Sequence, residues 1–587
     1  MFMRRVEELA RIVESIVYTP TYLLLGVDLR GRIVYQTMEG GFNSIWYLDA
    51  TCGTRRRLTE TMIHWPGLVS RNRRRVSFTR DVSGGKELQV IGYIDLEADK
   101  EVVFEHMEPV RVLGFADDGE KIAFAGASQK DVALYVVRKD SVEKLVNLNT
   151  YAIVTDVSKD FIVGFGNLRR NPRSKELFIH NISTGETEII TPREGSVNEN
   201  PIILPNGDII FESNALSGDS KELLVYDFAG RRFKKLVLPY RDYENYKPVE
   251  NIFYRGFEGK LVVVGKRDGR SRLFIDGKLV ETPVGSVLNA FIADGKIYYT
   301  FTSLAKPTSI MVYDGNVSRE VLSAELPEDI KRSFGEVLFT RVRAPDGVEV
   351  PTFIIKSRRN SGINAFVVFI HGGPWWEVAD EWNVRIAPLV ASGFNVVAPN
   401  FRGSTGYGES FRQMDIGDPG GGDLLDVETV TRWALESNLG RRAFIWGYSY
   451  GGYMTLWAMA SKPDLYECGV AGAPVADWEE MYELSDAVFR EFIDILFAGK
   501  RELWKQRSPS TYAHNVMKPL CIIQPQNDSR TPLKPVLKFV ERLAEHGKTF
   551  ELHVIPGSGH LITEPAKLAQ LLTYMLLFFE KCSHGSI

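Results

Sequence analysis

Cysteine is scarce: the 587 residues hold four, Cys52, Cys468, Cys521 and Cys582, scattered along the chain. That spacing excludes the disulfide framework of a small secreted domain. Long hydrophobic runs are lacking too, since no stretch approaches the ~18 uncharged apolar residues of a membrane span. The opening Met-Phe-Met-Arg-Arg-Val-Glu-Glu leads into an amphipathic pattern, not the apolar centre of a signal peptide. Nor is there an excess of one charge: 71 Lys and Arg against 75 Asp and Glu leave a net charge of −4. So small a field gathers neither nucleic acid nor an anionic lipid surface. The expectation is a cytoplasmic protein with no nucleic-acid and no membrane partner. Two basic runs, Arg55-Arg56-Arg57 and Arg73-Arg74-Arg75, lie between strand-like segments and read as solvated turns.

What is present is ordinary folded composition, 44% hydrophobic and 25% charged. The chain exceeds the roughly 250 to 300 residues that one core supports, so two large domains are expected. From Thr21 to Leu322 short β-rich runs alternate with Gly, Asp, Asn and Ser turns. Strand starts recur at Ile33, Val76, Lys121, Phe161, Asp208, Lys260 and Lys296, most followed by a second apolar run such as IWYLDA, ELFIHN or SIMVYDG. A spacing of roughly 44 residues predicts a β-propeller, here of seven blades, over 21–322, with an irregular pair of β-sandwiches as the alternative.

After Leu322 apolar runs alternate with segments of helical period, which predicts a mostly parallel sheet covered by helices. Eight candidate strands, from LFTRVRA through AFVVFI, AFIWGYS and LCIIQPQ to FELHVIP, suit an α/β-hydrolase domain over 323–587. Residues 1–20 carry Val6, Leu9, Ala10, Val13, Ile16 and Val17 at helical spacing, so a helix should dock there on the hydrolase.

Gly447-Tyr448-Ser449-Tyr450-Gly451-Gly452 follows one such strand and precedes a helical run. That is the context of a nucleophile elbow, in which small residues at 447 and 451 let the Ser449 hydroxyl project from a tight turn. A serine hydroxyl needs a base, and the base a carboxylate. In this fold the acid and then the histidine follow the nucleophile in loops after late strands. Asp528, just past LCIIQPQN, and His560, after the Gly557-Ser558-Gly559 loop, meet that demand, whereas His553 alternates inside a strand. His371-Gly372-Gly373-Pro374 follows AFVVFI, which makes the amides of Gly373 and Tyr450 the candidate oxyanion donors. No metal or cofactor is called for: His560 and Glu564 have ligand-like spacing but no third partner nearby.

HGGP, the stretch from Asn400 to Gly408, GYSYGG, Asp528-Ser529-Arg530-Thr531-Pro532 and His560 together resemble the prolyl oligopeptidase family of serine peptidases, and within it the acylaminoacyl peptidases. The motifs span the last 260 or so residues, about 260 of the chain; the β-rich half agrees only in architecture. The resemblance implies a propeller over the hydrolase mouth, release of an N-acylated amino acid from short N-acylated peptides, esterase side activity, and association as a homodimer or higher homo-oligomer. Trp375-Trp376 after HGGP and Gln526-Asn527 before the acid depart from the family pattern. No paired-glutamate motif of the dipeptidyl peptidases is evident. The segment Val475 to Leu496 carries Trp478, Phe489 and Phe492, expected to line an acyl or side-chain pocket, and Arg530 is expected to meet a substrate carbonyl. Oligopeptidase or dipeptidyl-type peptidase, carboxylesterase, and a propeller interaction scaffold with a decayed hydrolase are the rival functions.

Overall fold

The computed structural model describes residues 2–64, 66–139, 141–255, 259–359 and 362–585. Between Leu23 and Leu322 it forms seven four-stranded antiparallel sheets, each from one contiguous stretch of chain. The run pairs that recur in the sequence are the second and third strands of each blade, such as Ile33–Thr37 with Ser44–Asp49 and Phe161–Gly166 with Glu176–Asn181. These middle strands are packed by neighbouring blades, which is why they are apolar. Several fourth strands are short, exposed and charged, as in Thr54–Arg57 and Arg232–Lys235, a composition that blunts an open sheet edge. The basic runs are therefore not simply solvated turns: Arg55 lies in an outer strand and pairs with Glu39, and Arg75 opens a strand and binds Asp117 at 2.7 Å. The ring closes by side-chain bonds between first and last blades, Leu24 N to Thr300 Oγ1 at 2.9 Å and Asn289 Nδ2 to Leu24 O at 2.7 Å.

The second domain holds one sheet of eight strands: β1 (Phe334–Arg343), β2 (Glu349–Ser357), β3 (Ala365–Ile370), β4 (Asn395–Pro399), β5 (Arg442–Tyr448), β6 (Cys468–Gly472), β7 (Leu520–Pro525) and β8 (Phe550–Ile555), in the order 1-2-4-3-5-6-7-8. Only β2 runs against its neighbours. The central strands are apolar without alternation, AFVVFI for example, because helices cover both faces.

Helix α1 (Phe2–Val17) packs on this domain, against α2 (Ala387–Ser392) and the last described helix, α5 (Pro565–Ser583). Leu9, Ile12, Val13, Ile16 and Val17 are buried among Leu571, Leu572 and Met575, while Arg5 pairs with Glu580 at 3.0 Å and donates to Ser392 O at 3.1 Å. Ile12, absent from the predicted stripe, is fully buried, whereas Val6 and Ala10 are only partly covered.

Candidate active site

Ser449 stands between β5 and α3 (Tyr450–Ser461) at φ 62°, ψ −121°, a strained turn that aims its side chain away from the sheet. The flanking glycines are sterically required. A Cβ on Gly447 would lie 2.2 Å from Gly451 O, and one on Gly451 would lie 2.1 Å from Ile370 O.

The loops after β7 and β8 bring two further groups to that hydroxyl. His560 Nε2 is 3.0 Å from Ser449 Oγ, and His560 Nδ1 is 2.7 Å from Asp528 Oδ2. Asp528 is itself fixed, accepting from Arg530 N at 2.9 Å, Thr531 N at 2.8 Å and Thr531 Oγ1 at 2.9 Å. Burial lowers the His560 pKa, and the adjacent Asp528 charge opposes that shift without cancelling it. The imidazole is therefore neutral at pH 7 and able to accept a proton. The arrangement can deprotonate Ser449 as it attacks a carbonyl carbon.

Gly372 passes beside the nucleophile, where a Cβ on it would be 3.4 Å from Ser449 Cβ and 4.0 Å from its Oγ, and Gly373 follows it in a turn against Trp375 and Trp376. Tyr450 is the first residue of α3, where an amide has no intrahelical acceptor and faces outward with the positive end of the helix. Its ring is buried, and its hydroxyl donates to Asp423 Oδ2 at 2.6 Å. Behind the Gly372-Gly373 segment, His371 stacks on Phe401 at 4.3 Å and contacts Ser404 Oγ through Nε2 at 2.8 Å. Burial pushes its pKa down to about 4, so it braces the loop as a neutral ring. The 400–408 motif supplies those braces: Asn400 binds Val378 and the Tyr407 hydroxyl, and Arg402 clamps Asp426.

The predicted pocket residues divide. Trp478, expected to line the pocket, is fully buried instead, packed edge-on against Tyr453 and Phe497 in the core behind it. Phe489 and Phe492 are partly exposed on α4 (Ala487–Leu496), with Phe492 edge-on to Trp375 at 5.5 Å. Arg530 is partly exposed and its Nε donates to Glu87 at 2.9 Å, so one edge of its guanidinium is already committed to the propeller.

That glutamate belongs to a contact that no local pattern signals. Arg111 pairs with Glu87, donates to Asp486 at 2.6 Å and to Ser529 Oγ at 3.0 Å, and lies over Phe489. Asn527 Nδ2 donates to Gly84 O at 2.6 Å, and Ser529 Oγ donates to Lys86 O at 2.9 Å. Gly85 abuts Gly559: a Cβ on Gly559 would be 1.8 Å from Gly85 O. One propeller loop thus supports both the acid loop and the histidine loop, and the Asn527 departure from the family pattern serves that contact.

Residues 33–311 match the acylamino-acid-releasing enzyme-like N-terminal domain, and residues 380–586 match the prolyl oligopeptidase family. The acylamino-acid-releasing enzyme of Rattus norvegicus is 26% identical over 242 residues, 39% of this chain and 31% of that protein. Dipeptidyl aminopeptidase BIII of Pseudoxanthomonas mexicana is 29% identical over 210 residues, 34% of this chain and 30% of that protein. The matches thus span about a third of the length of these curated relatives. A solved Pyrococcus horikoshii acylaminoacyl peptidase superposes with a TM-score of 0.72 at 19% identity, over 97% of each chain, which establishes a shared fold.

Proposed function

We propose that this chain, whose residues 380–586 match the prolyl oligopeptidase family, is a serine peptidase that releases an N-acylated amino acid from short peptides. The observation carrying this reading is the line Asp528–His560–Ser449, at 2.7 and 3.0 Å. Ser449 attacks the scissile carbonyl and His560 takes its proton. The oxyanion forms against the amides of Gly373 and Tyr450, His560 returns the proton to the leaving amine, and water resolves the acyl-enzyme. Asp528 holds the imidazole and stabilises its charged form.

The preference for an acylated terminus has support in the side chains around Phe489. Arg111 and Arg530 flank it at 5.1 and 5.7 Å with their charges compensated by Glu87 and Asp486, and the edge of the Arg530 guanidinium not committed to Glu87 offers a donor to an acyl carbonyl. Phe489, Phe492 and Trp375 supply apolar surface beside it. One observation favours a second reading, an aminopeptidase of dipeptidyl type. A cavity of about 420 Å³ beyond Trp375 and Trp376 is lined by five glutamates against three lysines and Arg412, and the Glu377 Oε2 atom in it has no hydrogen-bond partner. A digest of a small peptide library with free and acetylated N-termini separates the two: faster cleavage of free amines overturns the acyl assignment and leaves the hydrolase intact. Labelling by a fluorophosphonate that is lost in Ser449→Ala and greatly slowed in His560→Ala tests the mechanism itself.

Among the described residues no helix is long and apolar enough to cross a membrane. A cytoplasmic setting forms part of the proposal, supported by four cysteines that are all unpaired thiols. Assembly as a homodimer or larger homo-oligomer rests on the family resemblance and is read directly by light scattering.

A further inference from the structure

We propose that Cys521, Glu551 and His553 form a binding site for a divalent cation of the zinc class, on the face of the sheet covered by α5 and remote from the proposed nucleophile. Strands β7 and β8 run parallel, with Cys521 beside Glu551 and Ile523 beside His553. Because side chains alternate faces along a strand, the two-residue step from 551 to 553 puts both on the face that carries Cys521. The Cys521 sulfur, a Glu551 carboxylate oxygen and a His553 ring nitrogen all lie within 4.8 Å of one another. In a tetrahedral zinc site with bonds of about 2.0 to 2.3 Å, ligand atoms sit about 3.3 to 3.8 Å apart, so closure needs shifts of about 1 Å.

The donor set fits this chemistry. Thiolate, imidazole and carboxylate together suit zinc, whereas calcium and magnesium take oxygen ligands. His553 is held in plane by stacking on Tyr574 at 4.0 Å, leaving its Nε2 on Glu551 Oε2 at 3.1 Å. Lys581 Nζ donates to Glu551 Oε1 at 2.6 Å, and the incoming cation displaces it. Glu551 and His553 keep about a quarter of their side-chain surface exposed, 28% and 26%, which gives the ion an entry path to a sulfur that is itself buried. A fourth position is open to water or to Cys582, the partly buried thiol near the end of α5. Binding forms a sulfur–metal bond and breaks the S–H bond. The proton goes to solvent, and no oxidation state changes.

The test is a cobalt(II) titration of the full-length protein carrying Cys52→Ser, which removes the exposed thiol. The expected result is one equivalent of cobalt with a thiolate-to-metal charge-transfer band, displaced by zinc, and abolished by Cys521→Ser. His553→Ala, on a partly exposed position that tolerates change, should weaken binding at least tenfold, and its signal decides the matter if Cys521→Ser fails to fold. Affinity should rise by about tenfold per pH unit while the thiol is the group losing a proton. A charge-transfer band that survives Cys521→Ser, the absence of such a band at one equivalent, or cobalt affinity unchanged by His553→Ala overturns the site. The readout is spectroscopic, so it stands or falls apart from the peptidase assignment, and His560 and Asp528 cannot mimic it because neither offers sulfur.

Discussion

Replacing Gly559 by alanine should remove most turnover from a protein that still folds. The new Cβ would lie 1.8 Å from Gly85 O, 2.6 Å from its carbonyl carbon and 2.9 Å from its Cα, all backbone atoms that cannot rotate away. To open the shortest contact from 1.8 to 3.0 Å, the two loops must part by about 1.2 Å, and one of them carries His560 next in sequence. If the histidine loop yields, the 3.0 Å contact of Nε2 with Ser449 Oγ is lost. If the propeller loop yields, the bonds of Asn527 to Gly84 and Ser529 to Lys86 weaken beside the acid. A displacement near 1 Å costs about 100-fold in an oriented reaction, so kcat should fall by about two orders of magnitude with KM changed far less. Overpacking of this kind costs about 1 to 3 kcal/mol of stability, which leaves the fold intact. The assay is kcat and KM on an acetyl-amino-acid anilide, with the rate of fluorophosphonate labelling of Ser449 as a substrate-independent check. A folded Gly559→Ala variant whose kcat and labelling rate stay within threefold of the parent refutes the reasoning.

The pH profile of kcat/KM should report His560. The imidazole must be neutral to act as base, and burial holds its pKa below the ordinary 6.5, so activity persists as pH falls through 6.5 and the acid limb has its midpoint below that value; a midpoint above it contradicts the assignment. Arg530→Ala should weaken peptide cleavage much more than cleavage of a small activated ester, and equal losses on both would reduce Arg530 to a brace for Glu87. Ile12→Ala, at a fully buried position on α1, should destabilise the hydrolase domain by about 2 to 5 kcal/mol in chemical unfolding while kcat is unchanged.

The site was legible because its chemistry is written in short stretches. An elbow needs glycines at fixed offsets from Ser449, and the order of acid and histidine narrows a long chain to Asp528 and His560. The propeller was legible through its middle strands, whose two-sided burial makes them apolar. Its inner and outer strands were not: Asn198–Ile203 reads NENPII and Arg232–Lys235 reads RFKK, mixtures set by the blade axis and by solvent rather than by a core. Trp478 illustrates a different limit, because nearness in sequence to Phe489 and Phe492 does not tell a pocket wall from the layer behind it. Glu87, Arg111 and Gly85 left no local mark, since the hydrolase-domain partners of Arg111 and Glu87 lie 375 to 443 residues away along the chain.

Those distant partners also bear on what the propeller is for. A domain that only screened substrates by size would need to touch the rim of the hydrolase, and its charged contacts could sit anywhere on that rim. Here Glu87 neutralises Arg530, two residues past the acid, while Arg111 reaches both Ser529 and the Asp486 carboxylate that caps α4. The helix that displays Phe489 and Phe492 is tied to the propeller a second time, through Glu491, which accepts from Tyr151 N at 2.5 Å and from the Thr150 hydroxyl. The hydrolase domain cut free of its propeller would leave Arg530 and Asp486 to water in place of Glu87 and Arg111, and it would lose the backing of the loops that carry Asp528 and His560. The propeller therefore braces the loops that carry Asp528 and His560, which a screen placed over a self-sufficient hydrolase domain would not need to do.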